Sequence, residues 1–215
     1  MNISIYLYII AISIIVGLVR YKELSPPFLK WMVPFLLLTL AVEITGLIMS
    51  RHDIYNLWMY NFFTSFEFVF YSLLYRAILA NSFIKKIIVY AVIVYLVLFV
   101  INISFIQGFY KLHTITYRIG SIMAVTWCYL YFRQLMKSEI YIPVFRDPLF
   151  WISTGLLFFY AGFFFYMTAG DIVLYAHIPY NTLVWDVISD SLNALLYTCF
   201  LISFVCQKTI RTYSL

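Results

Sequence analysis

The chain is poor in charge. Only 11% of its 215 residues are Asp, Glu, Lys or Arg, against 65% apolar and 21% aromatic residues, and its mean hydropathy is +0.95. An ordinary soluble domain has about 45 to 50% apolar and about 25% charged residues. So few charges cannot cover a water-exposed surface, which excludes a soluble fold. The chain also lacks linkers: with seven glycines and six prolines it has no Gly-rich, Ser-rich or charged connector, no internal repeat and no low-complexity tract. It reads as one domain over 1–215. Cysteine is scarce too. Cys128, Cys199 and Cys206 all fall inside apolar runs, where free cysteine behaves as a small apolar residue, so no disulfide or Cys-based metal motif is expected. No Lys or Arg precedes the first apolar run and no A-x-A-like site follows it, so a cleavable signal peptide is not expected.

What is present is a series of long apolar runs separated by short clusters of charge, proline and turn residues. Each is near the roughly 20 residues that a helix needs to cross the hydrocarbon core. The predicted fold is all-α, an integral membrane bundle of about seven transmembrane helices, at 2–19, 31–50, 57–80, 87–106, 114–136, 148–170 and 183–207. Lipid offers no hydrogen bonds to backbone groups, and a closed barrel would show alternating segments about 10 residues long. The segment from Asp171 to Thr182 is expected to be an outer loop, with room for a shallow re-entrant piece.

Positive charge sets the expected orientation, because short loops rich in Lys and Arg stay in the cytoplasm. Arg20, Lys22, Lys30, Arg76, Lys85, Lys86, Arg133, Lys137, Arg146, Lys208 and Arg211 fall on one side; Arg51, Lys111 and Arg118 fall on the other. That places the N-terminus outside and the C-terminus in the cytoplasm of a cell inner membrane. The net charge of +5 is then a matter of topology and anionic lipid, so nucleic acid is not an expected partner. Trp31, Trp58 and Trp151 near predicted span ends suit interfacial anchoring, which is favoured over an aromatic cage as the use of the rings.

The informative residues are polar groups inside the runs. Glu43 lies within the second span, Glu67 near the middle of the third, and Asp186, Asp190 and Asn193 in the outer half of the seventh. A carboxylate at the bilayer centre costs about 2.5 to 3.5 kcal/mol on the insertion scale, so these side chains are expected to face the bundle interior. Asp186, Asp190, Asn193 and Tyr197 lie at i, i+4, i+7 and i+11, one stripe of a helix. Asn61, Thr64, Glu67 and Tyr71 share about a third of the third helix's circumference, and Thr39, Glu43, Gly46 and Ser50 share a face of the second. Arg118, flanked by Thr114 and Ser121, is the cation placed deepest from the outer side. Together Glu43, Asn61, Glu67, Arg118, Asp186, Asp190 and Asn193 predict a polar, partly hydrated cavity opening outward that binds a small molecule or cation. The plainer account is interhelical hydrogen bonding worth about 0.6 kcal/mol per group. It leaves four carboxylates facing one arginine, a surplus that protonation or a bound cation must neutralise.

His52, His113 and His177 all map to outer loops and, with Asp53 or Asp171, are the weaker candidates for a metal; no two share the i, i+4 spacing of a helical metal pair. Gly155, Gly162 and Ala169 form a small-residue seam suited to close helix packing. There is no G-x-S-x-G, H-E-x-x-H, P-loop or G-x-G-x-x-G. Asp186-x-x-x-Asp190 is similar to the acidic pairs of membrane transferases, which need several such pairs and usually a cytoplasmic face. No cofactor is implied.

The stretch from Val42-Glu43 through Leu57-Trp58-Met59-Tyr60-Asn61 to Phe66-Glu67-Phe68, with Asp147-Pro148-Leu149-Phe150-Trp151-Ile152 and Asn193-Ala194-Leu195-Leu196-Tyr197, resembles a family of bacterial multi-pass membrane proteins of about this length. The resemblance covers nearly the whole chain. That family has no established activity, so the resemblance implies a multi-pass membrane fold and carries over no functional residue. This chain has Gly120, close to Arg118, where such proteins often have an acidic residue. Three functions are then expected in decreasing order: a sensory or ligand-binding signalling subunit acting with a separate cytoplasmic protein, a small proton- or cation-linked transporter, and an intramembrane lipid-modifying enzyme.

Overall fold

The computed structural model describes residues 4–137, 144–176 and 182–206. Among these are seven α-helices and no strand: α1 Ile5–Val19, α2 Phe28–Arg51, α3 Leu57–Ile78, α4 Ser82–Ile101, α5 Thr114–Met136, α6 Pro148–Tyr175 and α7 Thr182–Val205. Each expected run is a helix. Four segments, Phe28–Arg51, Ser82–Ile106, Pro148–Val173 and Leu183–Val205, are long and apolar enough to cross a membrane, and α1 is a shorter apolar helix. These mark the chain as a membrane protein.

The helix ends follow from local chemistry. α4 starts earlier than its apolar run because Asn81 caps it, its side chain accepting from the Phe83 and Ile84 amides at 2.9 and 3.2 Å. Lys85 and Lys86 count against an apolar span but not against a helix. The same helix ends in a π-helical turn, Asn102–Ile106. α6 starts at Pro148, which lacks the N–H a first turn leaves unused, and Asp147 accepts the Leu149 amide at 3.2 Å. At its other end α6 runs on to Tyr175, so Asp171–Tyr175, expected as loop, are helical. Any re-entrant piece over 177–181 lies outside the described residues, as do Lys208 and Arg211.

Packing joins α1 to α2, α2 to α3, α3 to α5, α5 to α6, α6 to α7 and α7 back to α1. Six helices therefore close a ring, and α4 lies outside it against α3 and α5. The ring is sealed by its first and last members. Arg20 donates to the Phe204 and Val205 carbonyls at 3.2 and 2.8 Å, meeting acceptors that a helix C-terminus leaves open. Ser13 reaches the Tyr197 carbonyl at 3.3 Å, so α1 and α7 run parallel. Glycine sets the α6–α7 approach: a Cβ on Gly155 would sit 2.8 Å from Cys199 Cβ, and one on Gly162 would sit 2.5 Å from Leu192 Cδ2. Ala169, the third member of the expected seam, is exposed and stands outside it.

The half of the ring nearest Arg20 is filled. Tyr71, Tyr75, Tyr131, Phe200, Phe204, Met32 and Leu36 are all buried there. The outward faces of the helices carry exposed apolar side chains, such as Phe83, Tyr90, Ile93, Val97 and Val100 on α4, as a surface facing acyl chains requires. α3 and α5 fall short of the apolarity of a spanning helix for a related reason. They are neighbours in the ring with α4 behind them, and their polar residues, Ser65, Ser72, Thr116 and Ser121, are buried against protein.

Candidate functional site

In the other half of the ring lies a cavity of about 290 Å³. Every helix of the ring contributes to its wall: Tyr6 from α1, Glu43 from α2, Tyr60, Thr64 and Glu67 from α3, Tyr117 from α5, Phe163 and Met167 from α6, and Ser189, Asn193 and Tyr197 from α7. Among the described residues two carboxylates and four phenols line it, with no Lys, Arg or His.

The two carboxylates differ. Glu43 accepts a hydrogen bond from the Tyr6 hydroxyl at 3.0 Å, and the Tyr60 phenol stands beside it. Tyr60 crosses over α2 at Gly46, where a Cβ would stand 2.1 Å from its hydroxyl oxygen; only a glycine leaves that path open. Glu67 has no donor or cation among the described residues. One turn further along the same face of α3, the buried Tyr71 hydroxyl has no hydrogen-bond partner either. The cavity thus holds one carboxylate anchored by a phenol and a second that faces open space.

The expected site residues divide. Glu43, Glu67 and Asn193 come together in the cavity, with Thr64 and Tyr197 from their stripes. Asn193 is steadied by its own helix, donating to the Ser189 carbonyl at 3.0 Å. Asp190 is partly buried and within electrostatic reach of Glu43 and Tyr6 without lining the wall. Asp186 is exposed, against the expectation that it faces inward. Ser13 pairs with Tyr197 and Arg20 with Phe204, a constant offset of 184 residues, so Ile5 stands level with Ser189 and Asp186 lies beyond the described part of α1.

Asn61 belongs to a clamp instead of the cavity: its amide donates to the Lys111 carbonyl at 2.8 Å and accepts from the His113 amide at 3.0 Å, tying α3 to the segment before α5. Arg118 also departs from the expected convergence. It pairs with Asp171 on α6 and donates to the Met167 carbonyl at 2.9 Å. Asp171 can take this place because α6 extends past the expected span end. Arg118 therefore neutralises an acid at the rim and contributes no charge to the cavity.

The two described histidines do not gather. His52 is exposed, while His113 is buried with its Nε2 at 2.8 Å from the Gly108 carbonyl. His177 lies outside the described residues. Among the described residues no three His, Cys, Asp or Glu side chains are grouped to hold a metal.

Tyr6, Tyr60 and Tyr117 are cavity residues that composition alone assigns to anchoring or packing. For two of them a stripe was available. Tyr60, Thr64, Glu67 and Tyr71 sit at i, i+4, i+7 and i+11, a stricter face than the one through Asn61. Tyr117, Ser121, Ala124, Cys128 and Tyr131 form a second such stripe, with Arg118 about 100° away from it. Tyr6 carries no such signal, since α1 is apolar nearly all round.

Comparison of the chain with protein-family models, with curated proteins and with solved structures finds no match. What the cavity can bind therefore follows from the chemistry of its wall.

Proposed function

We propose that this chain is a seven-span protein of a bacterial cytoplasmic membrane, N-terminus outside, in which one domain over 1–215 binds a small ligand in its outer half and signals to a separate cytoplasmic protein. The observation that carries the reading is Glu67, which lines a cavity in which, among the described residues, it has no donor and the wall has no cationic side chain. A group like this inside a bundle is costly unless it is used.

The orientation is supported by the sorting of charge. Arg20, Lys22, Lys30, Arg76, Lys85, Lys86, Arg133, Lys137 and Arg146 all stand at helix ends on the filled side of the ring, which favours a cytoplasmic position for that side. Lys22, Arg76, Lys86, Arg133, Lys137 and Arg146 are exposed there, a basic surface open to an acidic partner or anionic lipid. The filling of the inner half by Tyr71, Tyr75, Phe200 and Phe204 sets a binding protein ahead of a transporter, which needs a second opening.

Two measurements test this. Cysteine placed at His52 should react with a membrane-impermeant maleimide in intact cells, and cysteine at Lys86 only after permeabilisation; the reverse pattern would overturn the orientation. Photo-crosslinking from positions 22, 86 and 137 should capture one cytoplasmic protein, in an amount that Glu67→Gln changes. Proton- or cation-driven flux through proteoliposomes of the pure chain would instead make it a transporter.

A further inference from the structure

Resting on the reading of the cavity as a ligand site, we propose that its ligand is a small organic ammonium ion, bound with its charge at Glu67 and its carbon substituents against the aromatic wall formed by α5, α6 and α7.

Three features select this class over a bare metal ion. The first is size. A Mg²⁺ or Ca²⁺ site is a tight shell of six to eight oxygens at about 2.0 to 2.6 Å, whereas a cavity of about 290 Å³ is close to the roughly 300 Å³ at which small-molecule pockets begin. The second is the wall. Tyr6 and Tyr197 stack with ring centroids 6.2 Å apart, and Tyr117 lies 6.0 Å from Phe163. Aromatic faces attract organic cations and replace their water shell, which they do poorly for strongly hydrated ions. The third is the division of labour between the acids. Glu43 already accepts a hydrogen bond from the Tyr6 hydroxyl, so the cavity presents one unpartnered carboxylate, Glu67, to one positive charge.

Position reinforces the assignment. Around the ring, α2 and α3, which carry the acids, stand across from α6 and α7, which carry Phe163 and Tyr197. An ion with its charge at one end and carbon at the other spans that arrangement, and a sphere does not. Asn193 and Ser189 on α7 add acceptors for ammonium N–H groups or a ligand hydroxyl. The buried Tyr71 hydroxyl, without a partner one turn below Glu67, lies on the side where the charge would rest.

The test is equilibrium binding of radiolabelled choline and benzylamine to the full chain in lipid nanodiscs, with Na⁺, Mg²⁺ and Ca²⁺ as competitors. At least one organic cation should bind saturably and be displaced poorly by the metals. Glu67→Gln should weaken that binding by about thirtyfold or more, the usual consequence of losing one member of a buried charge pair. Tyr117→Leu should weaken it by about three- to thirtyfold while Tyr117→Phe retains it, because the ring face and not the hydroxyl makes the contact. Glu23→Gln, in an exposed side chain remote from the cavity, should leave binding unchanged. A Glu67-dependent site for Ca²⁺, Mg²⁺ or Na⁺ that ignores both organic cations would overturn the ammonium assignment and leave the ligand cavity standing. Binding of neither class, with Glu67→Gln as well folded as the parent, would overturn both.

Discussion

The two halves of the helix ring use the same residue types to opposite ends. In the filled half, the inner one in the proposed orientation, polar side chains find answers across helix boundaries: Tyr75 donates to Ser153 at 2.9 Å and lies 3.2 Å from Cys128, Trp127 donates to Ser72 at 3.2 Å, and Tyr131 donates to Asp147 at 2.5 Å. In the half with the cavity the polar groups surround open space, and Glu67 has no donor or cation among the described residues; where the halves meet, the Tyr71 hydroxyl is without a partner too. A buried polar group left without a partner costs about 1 to 3 kcal/mol. The first set therefore holds the helices together, and the second does so less.

The sharpest way to break that comparison is at Asp147. Asp147→Ala removes the cap of α6 and takes the acceptor from the Tyr131 hydroxyl, and should lower stability by about 2 to 4 kcal/mol in reversible unfolding from mixed micelles; a loss below about 0.5 kcal/mol would deny the inner half its structural role. Tyr75→Phe should follow at about 1 kcal/mol, leaving Ser153 short of a donor. Gly46→Ala probes the border between the halves. Its methyl group occupies the place of the Tyr60 hydroxyl, so it should free Glu43 of one phenol, cost about 1 kcal/mol, and alter cavity binding more than unfolding. Glu67→Gln should change stability least, by under about 0.5 kcal/mol or in the favourable direction, while abolishing ligand response. Equal destabilisation by Tyr75→Phe and Glu67→Gln would erase the distinction.

The helices were more legible in the sequence than their neighbours. Apolar runs reveal where a chain is helical in lipid, and seven of seven appear as helices, because length and hydropathy are local properties. Which side chains meet is set by the ring order, which is not local. Glu43, Glu67 and Asn193 were legible because acids and amides stand out inside apolar runs. Arg118 misled for the same reason: it stands out equally, but its partner depended on α6 continuing through Asp171. Most tyrosines were invisible among twenty of their kind, since a ring that anchors, packs or lines a cavity has the same composition, and only the stripes through Tyr60, Tyr117 and Tyr197 separate the uses. Asp186 stood out as clearly as Asp190, but which acids of α7 are covered depends on its packing against other helices, which is not local.

The guanidinium of Arg20 on the last carbonyls of α7 is a clasp between helices far apart in the chain. Within the ring α1 packs against α2 on one side and α7 on the other, so releasing the clasp would leave it held on one side and would interrupt the cavity wall between Tyr6 and Tyr197. The ring is thus fastened at the opposite end of α1 and α7 from the cavity it completes.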